Sequence, residues 1–331
     1  MIFLKNDKID LQKWYALFNI SEFATPFQMP EFYQFCQDST GYNAQAFAME
    51  NEGIYKALVV VTIQKEEGIK SYFSKRGIVF GGPLLENITT EELIFFLNEV
   101  SSHLNRKVIY IEMRNFFDYS AFTDAFKSTG WLYEPYLNFR LSLETLSKES
   151  LMGLFTSGRR REIKQSMAEG ATYGRSNDAT EISQVYEILK KLYDQRVKLP
   201  LPALEYFIGL LNHRLIQVFV VKHAGRIIGG SFCPVLAGKA IYTYYYCGIR
   251  DYHKKIFPTH LAVYAAMDYA IENQIPFIDF MGAGKAGIEY GVREYKAQFG
   301  GEMVEFGRWK KILNPTLYNL GVWGLGILKR I

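Results

Sequence analysis

The segment 291–301, GVREYKAQFGG, brings charged, aromatic and glycine residues together directly after an apolar strand pattern at 276–281. That strand pattern carries Asp279 and runs into a Gly-Ala-Gly loop at 282–284. Glycine lets backbone N–H groups approach a ligand, and loops at strand ends are where α/β proteins place chemistry. The segment predicts a ligand pocket in which Asp279 is a base or orienting group. The alternatives are a turn without a ligand and a core carboxylate with satisfied hydrogen bonds.

A basic cluster at 159–161, RRR, with Lys164 is the densest positive charge in the chain. On a helix, Arg160 and Lys164 share one face, and Arg159 and Arg161 flank it. Arginine binds phosphate with bidentate geometry, so a tRNA backbone or a precursor diphosphate is a candidate ligand. A solvated helix N-terminus is the alternative, although positive charge there opposes the helix dipole.

Composition excludes several classes of protein. The 331 residues are 49% hydrophobic and 16% aromatic, which indicates a folded protein with one large core or two ordinary ones. The three cysteines form no CxxC pair and the five histidines have no ligand spacing, so neither a metal site nor a disulfide framework is expected. No signal peptide and no membrane span is expected, and the net charge of +4 permits an anionic partner without requiring one. A cytoplasmic protein is predicted.

Two halves of the sequence repeat one order of elements. Strand patterns at 57–64 and 71–80, a helix at 90–104 and a strand at 107–113 correspond to strands at 217–221, 226–235 and 239–248, a helix at 259–272 and a strand at 277–281. Repetition of this kind predicts a duplicated mixed α/β unit. We place one domain at 1–146, a second at 147–311 and an amphipathic tail at 312–331.

Three motifs resemble the FemAB-like acyltransferases, which are relatives of the GCN5-related N-acetyltransferases. The C-terminal signature is Asp-Phe-x-Gly at 279–282 followed by Gly-Val-x-x-Tyr-Lys-x-x-Phe-Gly-Gly at 291–301. The basic helix at 158–170 is similar to the one that opens the family's second half, and TPFQMPEF at 25–32 is similar to its N-terminal signature. The resemblance implies α/β architecture with mixed sheets, arranged as two tandem acetyltransferase-like domains. It also implies transfer of an aminoacyl group from aminoacyl-tRNA to an amine of a peptidoglycan precursor, with no tightly bound cofactor.

The resemblance also suggests site residues. Lys296 falls on the signature lysine, which is thought to stabilise charge on the transferring ester; a lysine on an exposed hairpin is the alternative. In this fold the donor sits where two central strands separate, against the N-terminus of the following helix, where Thr259 is a candidate N-cap. We therefore assign catalysis to Lys296 and Asp279. Substrate or donor binding is assigned to Arg159, Arg160, Lys164, Tyr245, Thr259, His260, Gly282, Gly284, Arg293 and Tyr295.

One departure from related enzymes bears on the donor. The Gly-x-Gly pyrophosphate loop of acetyl-CoA users is absent, and RDYHKKI at 250–256 stands in its place. This makes acetyl-CoA a less favoured donor without excluding it. Two alternative functions stay open: N-acylation of an envelope sugar or lipid from an acyl-CoA or acyl-carrier thioester, and a non-catalytic protein that binds envelope precursors.

The C-terminal segment predicts contact with an anionic membrane surface. Trp309, Trp323 and the basic residues Lys310, Lys311, Lys329 and Arg330 flank an apolar stretch that is too short to span a bilayer. We expect peripheral attachment to the inner face of the cytoplasmic membrane. The competing expectation is that Leu317, Leu320, Trp323 and Leu328 pack against the second domain.

Overall fold

The computed structural model describes residues 1–39, 41–65 and 74–328. The chain divides into two compact units, residues 1–136 together with the chain from residue 305 onward, and residues 137–304. Each unit is built on one eight-stranded mixed sheet.

The first unit contains the strands β1 to β7 and the last strand of the chain, in the spatial order β1-β2-β3-β4-β6-β16-β7 with β5 paired to β3. Its strands are β1 (Ile2–Lys5), β2 (Ala44–Asn51), β3 (Ile54–Gln64), β4 (Arg76–Gly81), β5 (Leu84–Leu85), β6 (Tyr110–Asn115), β7 (Leu132–Glu134) and β16 (Arg308–Ile312). Its helices are α1 (Leu11–Ile20), α2 (Pro30–Asp38), α3 (Thr90–Leu104), α4 (Thr123–Ser128) and, after β16, α11 (Pro315–Leu328).

The second unit has the strand order β15-β8-β14-β12-β11-β10-β9, with β13 paired to β11. Its strands are β8 (Tyr136–Ser142), β9 (Thr172–Arg175), β10 (Ile216–His223), β11 (Arg226–Leu236), β12 (Ala240–Tyr242), β13 (Tyr245–Gly248), β14 (Phe277–Lys285) and β15 (Glu302–Glu305). Its helices are α5 (Lys148–Leu154), α6 (Ser157–Ala168), α7 (Ala179–Leu192), α8 (Leu204–Asn212), α9 (Pro258–Glu272) and α10 (Gly291–Ala297), and a π-helical turn (Tyr193–Val197) follows α7.

The internal duplication is confirmed. Each unit has an antiparallel hairpin, β2–β3 or β10–β11, with a register shift at Met49/Glu50 or Val221/Lys222. In each unit the next strand is split into two pieces, which both pair with the long hairpin strand, and a helix then leads to a parallel strand. The predicted helix at 90–104 is α3, and the one predicted at 259–272 is α9, which starts one residue earlier.

The division of the chain differs from the predicted boundaries after residues 146 and 311. β8 joins the second sheet next to β14, and β16 lies in the first sheet between β6 and β7. The hydrophobic pattern predicts that a segment is a strand but not which strand it pairs with, because pairing is non-local. Each sheet therefore includes one strand that the predicted boundaries assign to the other domain: β8 in the second sheet and β16 in the first.

The tail is also corrected. Trp309 is 2% exposed and lies in the first unit's core, stacked on Phe126 with ring centroids 4.7 Å apart. Lys310 Nζ bonds Glu134 at 2.6 Å and Lys311 Nζ bonds the Thr129 carbonyl at 2.5 Å. These three residues are thus part of β16 and not of a membrane-facing segment.

The helix that follows, α11, packs through Tyr318 on Tyr110, and its Leu320 and Trp323 are exposed. Lys329 and Arg330 lie outside the described residues, and so does the side chain of Leu328. None of the described helices is long and apolar enough to cross a bilayer.

Because Trp309 is central to the first core, we expect Trp309→Ala to lower the free energy of unfolding of that unit by about 3–5 kcal/mol, the usual cost of truncating a buried tryptophan. Urea unfolding followed by circular dichroism measures this change. Trp323→Ala is the control: its side chain is 68% exposed, so its effect should stay within about 0.5 kcal/mol. Equal effects of the two variants would contradict the placement of Trp309.

Candidate active site

The central strands of the second unit separate at one point. β12 pairs in parallel with β14 up to Tyr242 and Asp279, and the Thr243 N–H still donates to the Asp279 carbonyl. The chain then turns, and β13 pairs with β11 instead. The strand predicted at 239–248 is therefore two strands, and the backbone opening between β13 and β14 leads to the N-terminus of α9.

The N-terminus of α9 has no side-chain cap. Pro258 occupies the first turn and the N-cap is Phe257, whose side chain accepts no hydrogen bond from the helix. The prediction of Thr259 as N-cap is wrong, because proline at the first helical position moves the start of the helix one residue earlier. Gly248 lies against this turn, and a Cβ atom there would fall 2.5 Å from the Thr259 nitrogen. The close approach of β13 to α9 thus requires glycine.

Four side chains form a contacting cluster beside this helix end, here called the arginine cluster: Arg159, Glu162, His260 and Tyr295. Glu162 Oε2 lies 3.3 Å from His260 Nε2 and 3.5 Å from Arg159 Nη1. His260 Nδ1 lies 3.2 Å from the Tyr295 hydroxyl, which is also 3.3 Å from the Thr259 carbonyl. Three of the predicted donor-binding residues are therefore in direct contact, and they join α6, α9 and α10.

Burial determines the charge states in the arginine cluster. Burial, together with the smaller effect of the Arg159 cation, lowers the pKa of His260 to about 3, so the imidazole is neutral at physiological pH. Nε2 of this neutral ring lies 3.3 Å from Glu162 Oε2, and its Nδ1 is within hydrogen-bond distance of the Tyr295 hydroxyl. Burial also raises the pKa of Tyr295 well above its usual value. Neither ring group is suited to exchange protons with a substrate near neutral pH.

Arg159 has the least satisfied side chain of this cluster. It is 2% exposed, its Nη2 donates to Gln298 at 2.9 Å, and its guanidinium lies 4.6 Å from the Tyr295 ring centroid and 4.7 Å from that of Phe299. Within the described residues, Nε and Nη1 make no hydrogen bond. Buried donors of a charged group are costly when no acceptor binds them, and Nη1 has only the 3.5 Å ion pair with Glu162 to offset this cost.

Asp279 and Lys296 flank a strained turn in β14. Met281 has φ +59°, which is unusual for a residue other than glycine, and its N–H donates to Asp279 Oδ1 at 2.6 Å. Lys296 Nζ donates to the carbonyls of Gly282 at 2.7 Å and Met281 at 3.5 Å. The strained backbone thus turns two carbonyls toward the ammonium group, and such strain is concentrated at functional sites.

Both of these charged groups are buried. Burial raises the pKa of Asp279 to about 6, against the opposing effects of the Met281 N–H and of the Arg140 and Lys296 cations. Burial lowers the pKa of Lys296 to about 8, and Asp279 partly restores it. At neutral pH Asp279 is therefore a carboxylate and Lys296 an ammonium group. The ammonium group loses its proton about one pH unit above neutrality.

The other predicted site residues have more ordinary surroundings. The predicted loop at 282–284 is part of β14, where Gly282 supplies the carbonyl that binds Lys296 and Gly284 has φ +82° and lies against Tyr290. Arg293 donates to the carbonyls of Ala283 and Lys285, so it holds α10 to β14. Tyr245 packs edge-on against Phe207. An open concavity on α6 is lined by Ser157, Arg160, Arg161, Lys164, Gln165 and Ala168.

Three residues of this site were not predicted. Glu162 stands three positions after Arg159, a spacing that places both on one helix face and could have indicated their ion pair. Gln298 lies inside the signature but has no chemical mark that distinguishes it. The backbone of Met281 could not be predicted at all, because methionine rarely adopts a positive φ.

The buried carboxylate gives a pH-dependent prediction for stability. The pKa of Asp279 is higher in the folded chain than its ordinary 3.8, so its burial costs little below pH 4, destabilises the fold increasingly as the pH rises from about 4 to about 6, and costs a constant amount above that. Two pKa units correspond to roughly 2–3 kcal/mol. We expect Asp279→Asn to be more stable than the wild type by about this amount at pH 7.5 and by little at pH 4, in urea titrations at both values. The exposed Asp194→Asn variant should show no such difference, and an equal effect at both pH values would contradict the prediction.

Comparison with known proteins gives a match for part of the second unit. Residues 157–297 match the family model described as an acetyltransferase (GNAT) domain. This part of the second unit is therefore similar to GNAT-type acetyltransferase domains. The matched range contains every predicted site residue, and the predicted acyltransferase class is confirmed at the level of this domain family. No curated protein sequence matches the chain significantly.

Solved structures show the fold of the whole chain. FemX superposes with a TM-score of 0.74 at 15% identity, covering 97% of this chain and 99% of that one. L-PGS from Bacillus licheniformis gives 0.60 at 13% identity with 94% and 96% covered, and a tandem GNAT protein from the clavulanic acid biosynthesis pathway gives 0.60 at 10% identity with 95% and 99% covered. The predicted fold, two tandem acetyltransferase-like units, is confirmed. Among the described residues, no group of three or more His, Cys, Asp or Glu is arranged to hold a metal ion.

Proposed function

We propose that the second unit transfers an acyl group from an activated ester or thioester to an amine. The observation that carries the proposal is the buried Lys296 ammonium at the strand opening of a GNAT-type domain, beside an uncapped helix N-terminus. The amine nitrogen attacks the donor carbonyl, the bond from the carbonyl carbon to the donor oxygen or sulfur breaks, and one proton passes overall from the nitrogen to the released oxygen or sulfur. Lys296 stabilises the negative charge that develops, which is a form of electrostatic catalysis.

The donor we propose is aminoacyl-tRNA. FemX and L-PGS are similar in fold over nearly their whole lengths, and the chain carries the FemAB-like signature. The concavity on α6, with Arg160, Arg161 and Lys164, offers positive charge for an RNA backbone. The Arg159 nitrogens Nε and Nη1 have no hydrogen-bond acceptor among the described residues, and we propose that they bind an acceptor atom of the donor molecule next to the α9 N-terminus.

An acyl-CoA or acyl-carrier thioester is the second candidate donor. The matched domain family is named for acetyl transfer, and the tandem GNAT protein of similar fold was solved in a form without AcCoA. A thioester donor would place its phosphates at the same helix end, whose N–H groups and dipole favour anions. The two candidate donors differ in the positively charged protein surface that binds them, because a tRNA backbone carries many more phosphates than a thioester donor.

The proposed acceptor is an amine of a peptidoglycan precursor, as the FemAB-like resemblance implies. The experiment that tests donor and acceptor offers charged tRNA or acyl-CoA, each with isolated envelope precursors, and measures the products by mass spectrometry. An aminoacylated precursor formed only from charged tRNA supports the proposal. Acylation only from acyl-CoA supports the second candidate donor. Binding of a precursor without turnover from either donor would contradict the proposal that the protein is an enzyme.

Binding of RNA has its own test. Charge removal by Arg161→Gln with Lys164→Gln should weaken tRNA binding and reduce the slope of log affinity against log salt by about 0.7–0.9 for each phosphate that is no longer neutralised. The matched control is Lys190→Gln with Lys191→Gln on α7, where both lysines are exposed. Equal slopes in the two double variants would remove the α6 concavity from RNA binding.

We also propose that the protein attaches peripherally to the inner face of the cytoplasmic membrane through α11. Leu320, Val322 and Trp323 are exposed on this helix, at 48%, 54% and 68%. Each buried CH₂ group contributes about 0.8 kcal/mol, so a few such side chains give weak and reversible binding. Flotation with anionic liposomes should show binding that is lost in Val322→Ser with Trp323→Ser. Val197→Ser, which changes an exposed side chain of the second unit, is the control and should float like the wild type. If neither the wild type nor this control floats with the liposomes, the attachment is ruled out.

A further inference from the structure

The first unit has the same strand opening as the second, but its own chain fills it. β4 pairs in parallel with β6 up to Gly81 and Asn115, and β5 then pairs with β3 instead, so the equivalent opening lies between β5 and β6. Beside it the β3 ladder is interrupted between its pairing with β5 at 57–58 and with β4 at 62–64. Gln28, which is fully buried, lies in this interruption: its Oε1 accepts from the Val60 N–H at 2.8 Å and its Nε2 donates to the Phe80 carbonyl at 3.0 Å. The glutamine amide thus replaces the missing hydrogen bonds between β3 and β4.

Two further side chains close the edges of the opening. Ser21 Oγ donates to the Leu85 carbonyl at 2.8 Å and accepts from the Leu85 N–H at 3.2 Å, so both polar groups of this β5 residue are bound. The Tyr119 hydroxyl lies 3.1 Å from the Gly81 carbonyl and 2.8 Å from that of Pro83. The turn between β4 and β5 therefore has carbonyls that are already hydrogen-bonded to the protein.

The following helix is closed as well. Thr89 and Glu92 form a capping box at the N-terminus of α3, and Glu92 Oε1 also accepts from Asn51 at 2.7 Å. A carboxylate thus stands where an anionic ligand would bind, and a second anion would be repelled. The equivalent helix of the second unit, α9, has no such cap.

We propose that the chain has a single donor site, in the second unit, and that the segment 21–32 permanently occupies the equivalent site of the first unit. This inference rests on the proposed function for the identity of the donor, but the filling of the first site does not. It gives the N-terminal motif TPFQMPEF a structural role, with Gln28 as its central residue, and leaves the first unit for tasks other than donor binding.

Hydrogen exchange on the full-length protein tests the filled site without any ligand. The Val60 amide should exchange slowly in the wild type and on the order of tenfold faster or more in Gln28→Met, which keeps the size of the side chain but removes the acceptor. Gln34→Met on α2 is the matched control, since Gln34 is exposed and its amide donates to Asp38. Fast exchange of Val60 in the wild type, or no change in Gln28→Met, overturns the inference. Should Gln28→Met not fold, the Leu85 amide in Ser21→Ala gives the same test.

Donor stoichiometry tests the consequence. A charged tRNA with an amide in place of its ester should bind once per chain, and Arg159→Met in the second unit should weaken that site. Two bound molecules per chain overturn the single-site inference, and one bound molecule supports it, whereas the affinity of Arg159→Met tests the role of Arg159 alone. Absence of binding to the wild type contradicts the proposed donor instead, and the exchange result then decides the filled site by itself.

Discussion

Replacing Lys296 by methionine is expected to lower the turnover number by about ten- to a thousandfold while the fold stays intact, which corresponds to roughly 1.4–4 kcal/mol of transition-state stabilisation. Lys296 is 5% exposed and its Nζ is held by the Gly282 carbonyl, so the charge is fixed in place before the reaction begins. Methionine fills a similar volume without the charge. Burial already lowers the pKa of this lysine, so the loss of its charge should cost little stability.

The pH dependence of turnover gives a second readout for the same residue. If the ammonium form is required, turnover falls as the pH rises through about 8, where Lys296 loses its proton, and Lys296→Met lacks this alkaline limb. Asp279 raises the pKa of Lys296, so Asp279→Asn should move the limb to lower pH. Lys190→Met, on the exposed face of α7, is the control. Turnover of Lys296→Met within twofold of the wild type would exclude the lysine from the mechanism.

Local patterns predict the elements that carry the site. The helix at 90–104 can be predicted to the residue because Thr89 and Glu92 form a capping box and the apolar residues keep helical spacing. The predicted start of α9 is wrong by one residue, because the threonine was favoured as a cap over the proline that begins the helix. Helix ends are set by residues that are close in the sequence, so one amino-acid sequence holds the information needed to predict them.

Strand pairing and side-chain direction could not be predicted in this way. β8 and β16 each join a sheet that their position in the sequence does not indicate, because any apolar strand can pair with many partners. The basic cluster shows the same limit. Arg160 and Lys164 line an open concavity as predicted for one helix face, whereas the neighbouring Arg159 turns inward between two aromatic rings. Only the packing of α6 on the rest of the unit separates these roles.

The Arg159 side chain points into the second unit, and its replacement is expected to have the second large effect, on the Michaelis constant for the donor. We expect Arg159→Met to raise the Michaelis constant for the donor by about 10- to 150-fold, because a hydrogen bond to a charged group contributes roughly 1.5–3 kcal/mol and neither Nε nor Nη1 has a hydrogen-bond partner within the described protein. Arg159→Lys should recover only part of this loss, since an ammonium group lacks the planar fork that reaches Gln298 and a ligand together.

Stability separates a ligand-binding role of Arg159 from a structural one. Burial lowers the pKa of this arginine, which means that the fold disfavours its charge, and methionine fills a similar volume without that charge, while the Glu162 carboxyl that it leaves is partly exposed. We therefore expect Arg159→Met to keep or increase the free energy of unfolding while donor affinity falls. Arg175→Met, at an exposed position in β9, should change neither quantity. The opposite pattern for Arg159→Met would be a free energy of unfolding lowered by about 3–5 kcal/mol with unchanged donor affinity. The guanidinium would then only hold α6 and α10 together, and binding of the donor would have to be assigned to other residues.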